Sequence, residues 1–494
     1  MDNLRRQSIK STIYTYTGVL VGFVYTGILM PNFLEQSEIG ALNLILAYSL
    51  ILGQIGTLGF HNTTIRIFPY FKDPKTKHHG FILLILLVSL AGIILIALVY
   101  YIMKPWLINR NADSSPIFVQ YLYLILPVTI FTIIFNQFDA QTRALYYSTT
   151  GTFIKEFVQR LLILLIVLLF IGQIIDQTGL FVLYSVALSV PAILILAFLI
   201  LKREFVLTSD FGFLDRPMLI DMVRMSGFGI MTGFGVLAIA NIDRLMINFY
   251  LSEGHTGIYS VTFYFGALII MPARAVQRIA ASMIATAFKE NDLESIKKMY
   301  HQTCLYQLML ALLLFLLLWV NIDEVLTLIP SEYLIGKYVI FFIGLANVVL
   351  MAGGTSASII SSSRYYAYSA WFVGIYLFLI ILTNIFFIPA FGIIGAAAAS
   401  ALSTLLYMIL QFVFVYKKWG FQPYNLSFIW ITLIAIAVYI VVSLIPELGN
   451  IFLDMIIQST VLIILFILMV YKMNISKNVN QMIDNIFSNL WKNK

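Results

Sequence analysis

The sequence predicts an all-α integral membrane protein on three observations: apolar stretches recur along all 494 residues, only 11% of residues are charged, and lysine and arginine collect in alternate connections. Soluble globular domains carry about 25% charged and roughly 45–50% apolar residues. Here 61% of residues are hydrophobic and the mean hydropathy is +0.94. A water-facing exterior cannot be built from that inventory. Each apolar stretch approaches the ~20 residues with which a helix crosses a hydrocarbon core. Spanning β-strands would be short and alternate in polarity, and these stretches do neither.

A long-window apolar criterion places about fourteen helices. The first, at 9–30, follows the basic start Arg5-Arg6 without a small-residue cleavage site, as an uncleaved signal anchor does. Helices at 39–60, 81–103, 117–136, 155–175 and 179–201 complete a first group of six. A polar stretch at 202–224 precedes a second group at 226–250, 256–280, 300–320, 334–354, 367–388 and 393–414. Two more helices, at 428–445 and 451–471, follow. Beyond them Val479, Met482, Ile483, Ile486, Phe487, Leu490 and Trp491 recur at helical spacing, as in a helix lying on the membrane surface. The expected organisation is therefore a lobe at 1–204, a cytoplasmic linker at 205–225, a second lobe at 226–416, a helix pair at 417–473 and an amphipathic tail at 474–494.

Positive residues are retained on the cytoplasmic side during insertion. With both termini cytoplasmic, about 25 of the 30 lysines and arginines fall on that side; Lys104, Arg110 and Lys337 lie opposite, and Arg160 and Arg244 stay inside helices. The net charge of +7 thus reports topology and not nucleic-acid binding. The two groups of six superimpose at an offset of about 217 residues, which pairs Gly18 with Gly235, Leu34 with Leu251 and Gly40 with Gly257. An even number of helices per group gives both lobes one orientation, related by an axis along the membrane normal. Gly229 and Gly233, and the run Gly395 to Ser400, suit close helix packing in lipid.

An ionisable group at bilayer depth costs about 3 kcal/mol on insertion scales, so each needs a partner or a hydrated cavity. Asp243 and Arg244 sit in the seventh helix, and Arg244 shares a face with Asn241 and Asn248. That stripe either holds an anionic group in transit or forms a structural ion pair through Asp243. Arg160 follows Glu156 by four residues, a favourable order on a helix; snorkelling to the interface and a place in a lumen both fit. Arg274 and Arg278 lie one turn apart after Pro272, and two guanidinium forks on one face suit phosphate oxygens. Ordinary positive-inside placement explains them too, as it does Arg66 and Arg143.

Catalytic signatures are missing: phosphate loops, nucleophile elbows and paired-glutamate patterns do not occur, so no enzymatic activity is expected. His61, His78 and His79 are expected in a solvated cytoplasmic loop and lack metal-site spacing. No cofactor is expected. The single cysteine, Cys304, permits no intramolecular disulfide.

Leu58-Gly59-Phe60 followed by Arg66, the segment from Arg143 to Arg160, and Ile242-Asp243-Arg244-Leu245 with Gly257-Ile258-Tyr259 resemble Wzx-type flippases. These form the polysaccharide transporter family of the multidrug/oligosaccharidyl-lipid/polysaccharide (MOP) exporter superfamily. The resemblance implies a MATE-like arrangement of two parallel lobes. It also implies transfer of undecaprenyl-diphosphate-linked oligosaccharide to the outer leaflet of a bacterial cytoplasmic membrane, for O-antigen, capsule or exopolysaccharide, with polymerase machinery as a partner. The positions matching the family's cationic cavity are Arg66, Arg143, Arg160, Arg244, Arg274 and Arg278. Proton or sodium coupling through Asp139, Glu156 or Asp243 stays open. A multidrug/cation antiporter, a peptidoglycan lipid-precursor flippase and a membrane glycan polymerase or ligase are the alternatives; the first favours membrane carboxylates, and the last needs a large extracytoplasmic loop that is absent.

Overall fold

The computed structural model describes residues 2–73, 77–208, 214–446, 449–476, 479–481 and 484. Of the expected surface helix in the tail, Met482, Ile483, Ile486, Phe487, Leu490 and Trp491 lie outside the described residues, as do residues 209–213 of the linker. Among the described residues the regular structure is helical throughout, with no strand. Within hydrocarbon an isolated segment can satisfy its own N–H and C=O groups only as a helix. Twelve of these helices are long and apolar enough to cross a membrane, and the protein is a multi-pass membrane protein.

In chain order the long elements are α1 (Lys10–Phe33), α2 (Gln36–Gly56), α3 (His78–Asn111) and α4 (Leu122–Ala144). Then come α5 (148–171), α6 (Gln177–Leu201), α7 (Arg216–Tyr250), α8 (Glu253–Lys289), α9 (Leu293–Val320) and α10 (Ser331–Ala352). The last are α11 (Tyr368–Trp419), α12 (Leu426–Ser443) and α13 (Ile451–Lys472). Several begin where a short polar side chain accepts an otherwise orphaned N–H: Asp176 takes Gly179, Asp215 takes Met218, Asp292 takes Ser295 and Asn425 takes Ser427.

The number twelve differs from the fourteen expected crossings at two places. The fifth expected span falls on α5, which is divided into Ser148–Thr152, a π-helical turn Phe153–Val158 and Gln159–Ile171. The eleventh and twelfth both fall on α11, 52 residues that change direction at Gly392, where φ is 60° and ψ −139°. Only glycine adopts that conformation readily.

Packing divides the chain into one unit of Met1–Tyr264 with Val373–Ala396, and another of Phe265–Phe372 with Ala397–Lys494. These bounds follow contact, whereas the lobes expected at 1–204 and 226–416 follow the sequence repeat. In the first unit Phe68, Phe81, Phe138, Ile195 and their neighbours form a buried core. The second is built on Tyr300, Cys304, Ala311, Ile431, Val438, Leu462 and Phe466.

Within the first unit the repeat is visible as matched contacts. A Cβ on Gly40 would stand 1.8 Å from the carbonyl oxygen of Glu253, and a Cβ on Gly257 would stand 2.0 Å from that of Gln36. At the repeat offset Gln36 corresponds to Glu253 and Gly40 to Gly257, so this is one self-complementary contact between equivalent backbones. Gly18 likewise meets Glu156 O at 1.8 Å, and its counterpart Gly235 meets Val373, the counterpart of Glu156, at 2.3 Å. Close backbone approach of this kind is how helices gain contact in lipid, where apolar burial supplies little drive.

Candidate functional site

The broken helix α5 positions the main candidate site of the first unit. A π-helical turn inserts one residue into the helical register and redirects the side chains around it. The turn Phe153–Val158 carries Lys155 and Glu156, and a second π turn in α1, Val24–Leu29, carries Tyr25. Gly18 lets α1 settle directly on the backbone of this α5 turn.

Between α1, α2, α4, α5 and α6 lies a cavity of about 190 Å³ whose polar lining is Tyr25, Thr132, Lys155, Glu156, Gln159, Arg160 and Tyr184. Arg160 Nη2 donates to Glu156 Oε2 at 2.7 Å. Its Nη1 is buried and has no hydrogen-bond partner among the described residues, and Gly22 leaves it room, since a Cβ there would stand 3.1 Å away. The Lys155 ammonium lies 5.0 Å from the centroid of the Phe135 ring, whose π face attracts a cation without neutralising it. The lining therefore offers two cations against one carboxylate. An uncompensated charge away from water costs several kcal/mol, and an arriving anion offsets that cost.

The other predicted residues occupy separate places. Arg244 donates from Nε to Ser260 Oγ at 3.1 Å and from Nη1 to Ala240 O at 3.1 Å and Asn241 Oδ1 at 3.3 Å. Its guanidinium also lies 5.1 Å from the Phe263 ring. Asn248, expected on the same stripe, instead donates to Asn111 Oδ1 and accepts from Ser115 Oγ, each at 2.7 Å. Asp243 is buried and accepts from the Tyr259 hydroxyl and the Asn384 amide, each at 2.7 Å, joining α7 to α8 and α11.

Asp139 pairs with Arg143 at 3.1 Å, and Gly151 admits the carboxylate, because a Cβ there would meet Asp139 Oδ1 at 1.7 Å. Arg66 is exposed on the helix Phe60–Phe71. Arg274 and Arg278 belong to the second unit and are exposed on α8.

His61 and His78 do not lie in the solvated loop expected for them. His61 lies within the helix Phe60–Phe71, where burial and then the Arg143 charge hold its imidazole down at about 4. His78 is buried beside Glu204, 3.2 Å away. Among the described residues no three His, Cys, Asp or Glu side chains are grouped to hold a metal ion. Lys155, Tyr25 and Tyr184 escaped the sequence reading. Lys155 resembled an ordinary boundary lysine, and the only available signal was its adjacency to Glu156 and Arg160.

Many long apolar helices, matched glycine contacts at the repeat offset and charges kept within the helices define a multi-pass membrane protein with a polar interior. The family model described as polysaccharide biosynthesis protein matches residues 4–288, and the chain belongs to that family. A curated relative from Haloferax volcanii, "Probable low-salt glycan biosynthesis flippase Agl15", is 23% identical over 187 residues. That match covers 37% of this chain and spans 39% of the relative's length.

Among solved structures, the lipid II flippase MurJ in an inward closed conformation superimposes with a TM-score of 0.76 at 15% identity, covering 94% of this chain and 99% of that one. An outward-facing multidrug resistance MATE family transporter gives 0.58 at 13% identity, covering 84% and 95%. A MOP superfamily transporter from Pyrococcus furiosus gives 0.55 at 13% identity, again covering 84% and 95%. At these identities the likeness is one of fold.

Proposed function

We propose that this protein flips undecaprenyl-diphosphate-linked oligosaccharide from the cytoplasmic to the outer leaflet of a bacterial cytoplasmic membrane, by alternating access, for a surface polysaccharide. Both termini are cytoplasmic in this reading, the chain crosses fourteen times, and the moving parts are the repeats at 1–204 and 226–416. The observation that carries it is the chamber lined by Lys155 and Arg160 with Glu156 as the one carboxylate of its lining, and one Arg160 nitrogen unpartnered among the described residues.

A diphosphate cannot shed its water into hydrocarbon, so its passage needs fixed cations, while the lipid tail stays in the bilayer. Guanidinium supplies charge and fork geometry together. The other arginines, Arg66, Arg143, Arg244, Arg274 and Arg278, are proposed to contact the anion at other stages of its transfer, and glycan polymerase machinery to receive the product. Outward movement of negative charge is favoured by an inside-negative potential, by about 2.3 kcal/mol per charge per 100 mV. The cationic excess of the chamber disfavours a cation antiporter, whose substrate it would repel.

The test is export of glycan in cells whose own flippase is deleted and which depend on this chain. Arg160→Gln combined with Lys155→Gln is expected to lower export at least about tenfold at unchanged protein level, the loss of one charged hydrogen bond being enough. Unchanged export in that double variant overturns the reading.

A further inference from the structure

The second unit contains a cavity that the anion chemistry does not use. It has a volume of about 220 Å³ and lies where the ends of α9, α10, α12 and α13 meet. Trp319, Asp323, Glu324, Lys337, Tyr439 and Gln458 line it. Gln458 is 8% exposed, and its amide makes no hydrogen bond among the described residues. The Oε2 atom of Glu324 is buried without a partner among the described residues. Buried polar atoms left unsatisfied call for a ligand or water to complete them.

The lining selects among ligand classes. Lys337 is already paired with Asp323 and lies 5.8 Å from the Trp319 ring, so an ammonium borders the cavity and opposes a metal cation. Asp323 and Glu324 oppose phosphate. What remains is an amide able to donate and accept, a phenol, carboxylate oxygens that accept from hydroxyls, and an indole. A sugar ring carries the complement of that set: hydroxyls that both donate and accept, and a C–H face that packs on an aromatic ring.

We infer that this cavity binds a single neutral or amino sugar ring. Charge counting puts Lys337 on the extracytoplasmic side, so the site receives a sugar after its carrier has crossed. That the sugar arrives on a lipid-linked glycan rests on the proposed function; that a sugar ring binds here does not.

The experiment is calorimetric titration of the full chain in lipid nanodiscs with methyl glycosides of glucose, galactose, N-acetylglucosamine and rhamnose, and separately with calcium chloride. At least one glycoside is expected to bind saturably, and Gln458→Leu and Trp319→Phe each to weaken it about tenfold, the worth of one good polar or aromatic contact. Size-exclusion profiles report folding, and where Gln458→Leu fails to fold, Trp319→Phe decides. Binding by no glycoside, binding unchanged in the folded variants, or binding of calcium alone overturns the inference. Loss of export in the Arg160 and Lys155 variant with glycoside binding intact separates the two sites.

Discussion

Asp243 shows how a membrane carboxylate can be held by neutral hydrogen-bond donors from two other helices. It receives one hydrogen bond from Tyr259 and one from Asn384, and the neighbouring Arg244 is directed to Ser260 and Asn241. Consecutive helical residues point about 100° apart, so the hydrogen bonds of the two side chains go to different neighbours. Removing the carboxylate takes away two buried hydrogen bonds, at about 1–3 kcal/mol each. Thermal unfolding in detergent is therefore expected to fall most for Asp243→Leu and less for Asp243→Asn, which keeps one acceptor. A variant Asp243→Asn that unfolds at the parental temperature yet has lost transport would instead assign Asp243 to ion coupling. The sequence could name the charged residues inside helices because hydropathy isolates them. It could not say that Asn248 turns to Asn111 while Asn241 stays with Arg244, because both share one helix face and only the neighbouring elements separate them.

At the level of helices, glycine decides which pairs come together. Gly18 and Gly40 press on backbone carbonyls, where no side chain can yield, whereas Gly374 in α11 has nothing within 4 Å of where its Cβ would be. Overpacking by one methyl costs about 1–3 kcal/mol. Gly18→Ala and Gly40→Ala are thus expected to lower the unfolding temperature of purified protein, while Gly374→Ala leaves it unchanged or raises it, since alanine is the better helix former. Equal effects at all three positions would remove glycine contact as the organising feature. These contacts were partly legible: the offset that pairs Gly40 with Gly257 is written in the sequence, though not that the two residues touch. The π turns at Val24–Leu29 and Phe153–Val158 were not legible. Composition in such turns is that of an ordinary helix, and the extra residue is set by what packs alongside, here α1 against α5.

For the whole molecule, orientation is the property that the proposed direction of transport depends on. The positive-inside argument puts the connections after α3 and α9 outside and the one between α8 and α9 inside. The division into twelve apolar helices leaves that assignment sensitive to α5 and to the bend at Gly392: without both α5 and a split α11, the later loops would not alternate as the lysines and arginines require. Cysteine labelling settles it with little background, because the native Cys304 is buried. Asp113 and Glu290 are exposed in the connections concerned, and Glu332 is exposed in the first turn of α10, next to the connection after α9. A membrane-impermeant maleimide is expected to label Asp113→Cys and Glu332→Cys in cells with intact inner membranes, and Glu290→Cys only after permeabilisation. If all three react from one side, a crossing has been miscounted; if the pattern is inverted, the basic connections face outward, against the cytoplasmic capture of a diphosphate that the proposed direction requires.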